Sequence, residues 1–164
     1  DYSRSAYARV NIGETSLSEL VQAAVEQVLN DLQMVGGSVR VLTEARIRCD
    51  STLLTTVFQN LITNAIASRR RDRPLEVKIN CVNEGKDWRI MVEDNGAGFD
   101  PDFATVAFNP LARGVHVAGE GAGIGLATCR NIIQSHGGKI WIDPAYRQGA
   151  RLVFTLPAGP EPAG

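Results

Sequence analysis

Asp94 heads the glycine loop within "EDNGAGFD", a run that directly follows the alternating apolar run "WRIMV". A carboxylate at the head of a glycine loop has no obvious core partner, although one glycine loop by itself is only a turn. A second glycine cluster, "GEGAGIGLA" from Gly119 to Ala127, opens straight into a helical pattern. Free N–H groups and the positive dipole end of a helix start hold phosphate. Asn60 and Asn64 stand four apart in an apolar stretch, so on a helix they lie one above the other. Asn is a mediocre helix former, and two amide oxygens at that spacing can point at one cation or one phosphate chain. The bland alternative is a pair of half-exposed polar residues with no task. Two glycine loops and a carboxylate look like opposite walls of one pocket.

Familiar phosphate motifs do not fit the second cluster. The dinucleotide pattern G-x-G-x-x-G/A fails from Gly119, Gly121 and Gly123, whose sixth residues are Ile124, Leu126 and Thr128. The cluster also follows no strand, which argues against a Rossmann site. "HGGKI" lacks both the first glycine and the hydroxyl of a Walker loop.

Those residues need elements to position them, and 164 residues suffice for one domain with a real core. Charge is nearly balanced, with 17 basic and 18 acidic residues, so no global field points to nucleic acid or a membrane surface. The run Arg69-Arg70-Arg71 reads as a solvated helix end. Three widely spaced cysteines, Cys49, Cys81 and Cys129, exclude a disulfide framework and a thiolate zinc site, and suit a reducing cytosol. No apolar stretch approaches the roughly 18–20 residues of a membrane span. The chain opens with neither Met nor a targeting pattern, so we expect a piece of a longer, cytoplasmic region whose parent is soluble or membrane-bound.

Helical and alternating patterns follow one another along the chain. "ARVNIG" predicts a short edge strand. "TSLSELVQAAVEQVLNDL" predicts one amphipathic helix, with Leu17, Leu20, Val21, Ala24, Val25, Val28, Leu29 and Leu32 on one stripe. Ser16-x-x-Glu19 forms a capping box at its start, and Gly36-Gly37 ends it. "SVRVLTE" and "RIRCD" read as strands, and Asp50 caps a helix from about Ser51 to Ser68 with Leu54, Phe58, Leu61, Ile62 and Ala65 facing the core. "LEVKINCV" and "DWRIMV" alternate around the turn "NEGK". "IGLATCRNIIQSH" is a third helix closed by Gly137-Gly138, and "KIWID" pairs with "ARLVFTL". Tight turns between successive strands give an α+β fold: a mixed, mostly antiparallel sheet of about five strands backed by three helices.

Five ordered segments, "FQNLITNAIAS", "VEDNGAGFD", "FNPLAR", "GEGAGIGLATCRNIIQSHGGKIWI" and "GARLVFTLP", closely resemble the N box, first glycine box, F box, second glycine box and closing strand of sensor histidine kinase catalytic domains. "VFQNLITNAI" and "DWRIMVEDNG" look most like the phytochrome-type branch. The resemblance covers about Val10 to Pro157. It implies the Bergerat ATP-binding fold, a two-layer sandwich with a small edge hairpin and a mobile lid. Residues 1–9 would then be a residual linker, 10–157 the catalytic domain and 158–164 a disordered tail.

By the same resemblance, Asp94 accepts a hydrogen bond from the adenine amino group, and Gly96 and Gly98 let the loop pass close under the base. Asn64 ligates Mg²⁺ on the phosphates and Asn60 supports it. Gly121, Gly123, Gly125 and Leu126 belong to the phosphate-binding helix start. Arg113 reaches the phosphates, and "GVHVAGE" is the lid. ATP and Mg²⁺ are the implied cofactors, and the partners are a histidine-bearing dimerisation domain and, indirectly, a response regulator.

Asn60 separates subfamilies chemically. ATP-hydrolysing relatives such as type II topoisomerases and MutL proteins carry Glu there to activate water, and an amide cannot act as that base. An imidazole acceptor needs no such help near neutral pH. The acceptor itself is expected N-terminal to this chain. His136 falls in a "SHGG" helix end and reads as structural, and His116 lies in the lid. Departures from the family pattern cluster at the nucleotide: Ala67 for the usual Lys or His, Leu111 for the second Phe of the F box, and Ala150 and Arg151 for Ser or Thr. A weakly binding signalling scaffold and an ATP hydrolase are therefore the competing readings.

Overall fold

The computed structural model of the chain describes residues 10–104, 106–109 and 122–159. The elements run β1 (Gly13–Ser16), α1 (Leu17–Gln27), α2 (Leu29–Met34), β2 (Ser38–Val41), β3 (Arg46–Cys49) and α3 (Ser51–Ala67). After these come β4 (Glu76–Asn83), β5 (Asp87–Asp94), α4 (Pro101–Ala104), α5 (Ala122–Ser135), β6 (Ile140–Ile142) and β7 (Arg151–Pro157). The main sheet has the order β2-β4-β5-β7-β6. Only β2–β4 is parallel, and the other three junctions are antiparallel. The expected mixed, mostly antiparallel α+β architecture is therefore what forms.

Period-two alternation decides the sheet's inner face. Val77, Ile79 and Cys81 of β4, Ile90 and Val92 of β5, and Leu152, Phe154 and Leu156 of β7 are all buried. They meet the apolar stripes of α1, α3 and α5, with α3 in the middle and packed against the other two. Phe58 of α3 meets Phe154 of β7 edge-to-face, 5.7 Å between centroids. Truncating such a ring typically costs about 3–5 kcal/mol, so α3 is firmly seated. The β4–β5 turn forms as expected, with Gly85 at φ +91° and its N–H donating to Asn83 Oδ1 at 2.8 Å.

Three expectations need correction. The first strand is Gly13–Ser16, later than "ARVNIG", and it pairs with β3. The small edge element is therefore a ribbon of two strands distant in sequence, not a hairpin. The first helix is not continuous: Val28 leaves helical geometry at φ −120°, ψ 18°. Val28 and Leu32 are buried on either side of the break, while Leu29, expected on the same stripe, is 41% exposed. Ser16 does cap α1, its Oγ accepting from Glu19 N–H at 3.1 Å, but Glu19 answers Thr15 Oγ1 rather than the backbone of Ser16.

Asp50 joins three parts of the fold. Its Oδ1 accepts from Leu53 N–H at 3.1 Å and caps α3, while Oδ2 accepts from Asn11 N–H at 3.0 Å. Its own N–H donates to His136 Nε2 at 3.0 Å, and the opposite ring nitrogen, Nδ1, donates to Ile132 O at 2.8 Å. His136 thus fastens the C-terminal end of α5 to the N-terminal end of α3, the structural part expected of it. His136→Ala leaves a part-buried N–H unpaired and is expected to lower stability by about 1–3 kcal/mol. A urea midpoint that does not move would show that the junction contributes nothing.

Candidate nucleotide site

Asp94 ends β5 with 7% of its surface exposed. Its Oδ1 accepts two backbone N–H groups, Gly96 at 2.8 Å and Ala150 at 3.2 Å. Among the described residues nothing donates to Oδ2. Burial pushes the carboxyl above its ordinary range, and the two N–H donors pull it partly back. A desolvated carboxylate with one oxygen fixed and the other free is prepared to accept from a ligand.

Glycines make this loop possible through close backbone packing. A Cβ on Gly96 would lie 2.7 Å from Ser68 O, which already accepts from Ala97 N–H at 2.9 Å. Gly98 has φ +78°, and its Cβ would lie 2.8 Å from Gly149 O. At Gly149 a Cβ would approach Asp94 O to 2.0 Å. Asn95, between the acid and the first glycine, clamps the loop to the sheet through Glu76 N–H at 2.9 Å and Pro74 O at 3.0 Å.

The amide pair lies on α3 beside this loop. Asn60 Nδ2 donates to Gly125 O at 3.3 Å and so ties α3 to the first turns of α5. A Cβ at Gly125 would meet Asn60 Cγ at 3.6 Å, an ordinary contact, so this glycine is not required by packing there. Asn64 is 8% exposed, and its Nδ2 is buried without a partner among the described residues. An unpaired buried amide costs about 1–3 kcal/mol, so native structures rarely keep one without a reason. Ser68, one turn further, donates N–H and Oγ to Asn64 O, each at 3.0 Å. Asn60, Asn64 and Ser68 therefore form a line along α3, about 12 Å from end to end. One end touches α5, and the other carries the Asp94 loop.

Gly123 falls in the first turn of α5, while the Leu126 side chain belongs wholly to the core. Arg113, Gly121, His116 and the segment "GVHVAGE" lie outside the described residues. Gly149, the Ala150 N–H and the Ser68 carbonyl were not anticipated as parts of the site. Nothing local announces them, since their partners come from remote stretches of chain. Burial also pushes the thiols of Cys49 and Cys129 up to about 12, leaving both protonated and unsuited to nucleophilic work.

Residues 49–160 match the family described as histidine kinase-, DNA gyrase B-, and HSP90-like ATPase. Cyanobacterial phytochrome A of Nostoc sp. strain PCC 7120 is 34% identical over 145 residues, 85% of this chain and 19% of that protein. The methanogenesis regulatory histidine kinase FilI of Methanothrix harundinacea is 37% identical over 147 residues, 88% of this chain and 16% of that protein. The chain thus spans less than a fifth of the length of these two relatives. The catalytic domain of histidine kinase ThkA, in a nucleotide-free form, superimposes with a TM-score of 0.75 at 25% identity, covering 92% of this chain and 99% of that one. No described helix is long and apolar enough to cross a membrane. The chain belongs to the histidine kinase-, DNA gyrase B-, and HSP90-like ATPase family, among the catalytic domains of the sensor histidine kinases.

Proposed function

We propose that this chain binds Mg²⁺-ATP between α3, the Asp94 loop and the start of α5, and presents the γ-phosphate to a histidine on a dimerisation domain that in turn serves a response regulator. The observation that carries the reading is Asp94, with Oδ1 held by two backbone donors and Oδ2 left to accept from the adenine amino group. The α3 line leads from that base site to the start of α5, where free N–H groups suit phosphate. Gly123 and Gly125 fall in the first turns of that helix, and the family resemblance assigns Gly121 and Arg113, which lie outside the described residues, to the phosphates as well. The Ala150 N–H donates to Asp94 whatever side chain stands there, so Ala for Ser or Thr does not remove this bond. That favours ATP binding over a nucleotide-insensitive scaffold.

The residues present fit a magnesium ion. Asn64 carries a nearly buried amide whose Nδ2 has no partner among the described residues, and its Oδ1 is a hard oxygen ligand. Among the described residues no group of three or more His, Cys, Asp or Glu is placed to hold a metal. An ion at Asn64 would complete its shell with phosphate and water, as Mg²⁺ commonly does. When bound, it neutralises phosphate charge during transfer. Asn60 holds Gly125 and cannot take a proton from water.

Calorimetric titration with ATP, with and without Mg²⁺, tests the assignment. The parent chain is expected to bind with a strong dependence on Mg²⁺. Asn64→Ala should lose that dependence and about 10–100-fold in affinity, without losing thermal stability, because the side chain removed has an unpaired amide. Equal binding of Mg-ATP by Asn64→Ala would overturn the metal role.

A further inference from the structure

On the sheet face away from the helices, directly behind Asp94, lies a compact ion-pair cluster centred on Arg151. Its Nε meets Glu93 Oε2 at 2.7 Å and its Nη1 meets Asp143 Oδ2 at 3.0 Å. Its guanidinium carbon stands 4.4 Å from the centre of the Tyr146 ring. The Arg151 side chain is 31% exposed and its carboxylate partners 22% and 26%, whereas the Arg46–Glu14 pair is 64% and 54% exposed. Partly desolvated pairs to two carboxylates hold geometry far better than exposed single pairs do.

The cluster's place in the chain matters more than its strength. Glu93 and Arg151 face each other across β5 and β7, one residue from Asp94 and Ala150 respectively. Asp94 N–H donates to Ala150 O at 2.9 Å, and Ala150 N–H returns to Asp94 Oδ1 at 3.2 Å. Asp143 also accepts from Ala145 N–H at 2.9 Å through its second oxygen, and its N–H donates to Arg151 O at 2.8 Å. Arg151 thus ties β5 to the turn that returns through Gly149 and Ala150.

We propose that Arg151 is a positioning residue for base recognition: it holds the Ala150 N–H on Asp94 Oδ1 and thereby keeps Oδ2 directed at the 6-amino group of the purine. This rests on the adenine reading of Asp94. Sliding or fraying of the β5–β7 end would free the carboxylate to rotate, and it would lose its preference for an amino over a keto group. Inosine triphosphate, with a keto oxygen at that position, reports the preference directly.

The test is calorimetric affinity for ATP and for inosine triphosphate in the 164-residue chain, in Arg151→Met and in Arg151→Lys, with Asp94→Asn as reference. Arg151→Met keeps the stem but no charge. It should weaken ATP by about tenfold while changing inosine triphosphate less than about twofold. Arg151→Lys, which keeps a single ion pair, should recover part of the ratio. An equal loss for both nucleotides, or an unchanged ratio in a cooperatively melting variant, overturns the proposal. If Arg151→Met does not fold, Glu93→Gln removes the β5 partner and is read in the same way. If Asp94→Asn itself leaves the ratio unchanged, the adenine reading fails. If Asp94→Asn collapses the ratio and Arg151→Met does not, only the positioning role fails.

Discussion

Asp94→Asn is expected to weaken ATP binding by at least about 10–100-fold while leaving the melting temperature unchanged or higher. An amide oxygen can replace Oδ1 and still accept from Gly96 and Ala150, so the loop keeps its geometry. The other atom changes from acceptor to donor and faces a donor on adenine. The variant should therefore shift its relative preference toward a keto purine. Stability follows from the raised pKa of the carboxyl, caused first by burial. The folded state binds this proton more tightly than the unfolded chain, so the group favours folding below its ordinary pKa of 3.8. That contribution declines as pH rises through the window up to the raised value. At neutral pH the ionised, desolvated carboxylate is a net cost that the amide removes. Melting curves recorded through the acid range should lose this component in the variant. Undiminished ATP affinity would show that Asp94 is not the base acceptor.

Much of this site could be read from local pattern, because its parts are local. The four-residue spacing of Asn60 and Asn64 places them on one helix side, and Asp50 caps that helix as its type and position demand. Gly85 takes the positive φ that "NEGK" requires. What could not be read depends on contacts between remote residues. The Ala150 donor reaches Asp94 across 56 residues, and His136 reaches Asp50 across 86. β1 and β3 form a ribbon only because α1, α2 and β2 fold between them. The break at Val28 was not legible either, because the apolar stripe by itself favours an unbroken helix. Glycines showed a related ambiguity. The resemblance assigned Gly96 and Gly98 to close approach under the base, whereas the backbone they approach here belongs to Ser68 and Gly149.

Incubated alone with Mg-ATP, the 164-residue chain should acquire no label and release little phosphate. Asn60 offers an amide where hydrolases place a base, and an amide cannot activate water near neutral pH. His136 cannot serve as an internal acceptor, since one ring nitrogen donates to Ile132 O and the other accepts from Asp50 N–H. On the proposed function, a separate histidine-bearing dimerisation domain of a sensor histidine kinase should be phosphorylated by the chain on its histidine, whose imidazole is nucleophilic without a protein base. Tethering normally gives millimolar effective concentration, so transfer to micromolar acceptor in trans should run about two to three orders of magnitude slower than in a linked protein. Radiolabelled ATP, with and without the acceptor domain, supplies the measurement, and phosphohistidine is recognised as acid-labile label. Vigorous phosphate release by the chain alone would assign it to the hydrolases of its family. Tight ATP binding with no transfer to any such acceptor domain would make it a nucleotide-responsive scaffold. Acid-labile label on the chain itself, abolished by His116→Ala, would place an acceptor within the domain and overturn the in-trans mechanism.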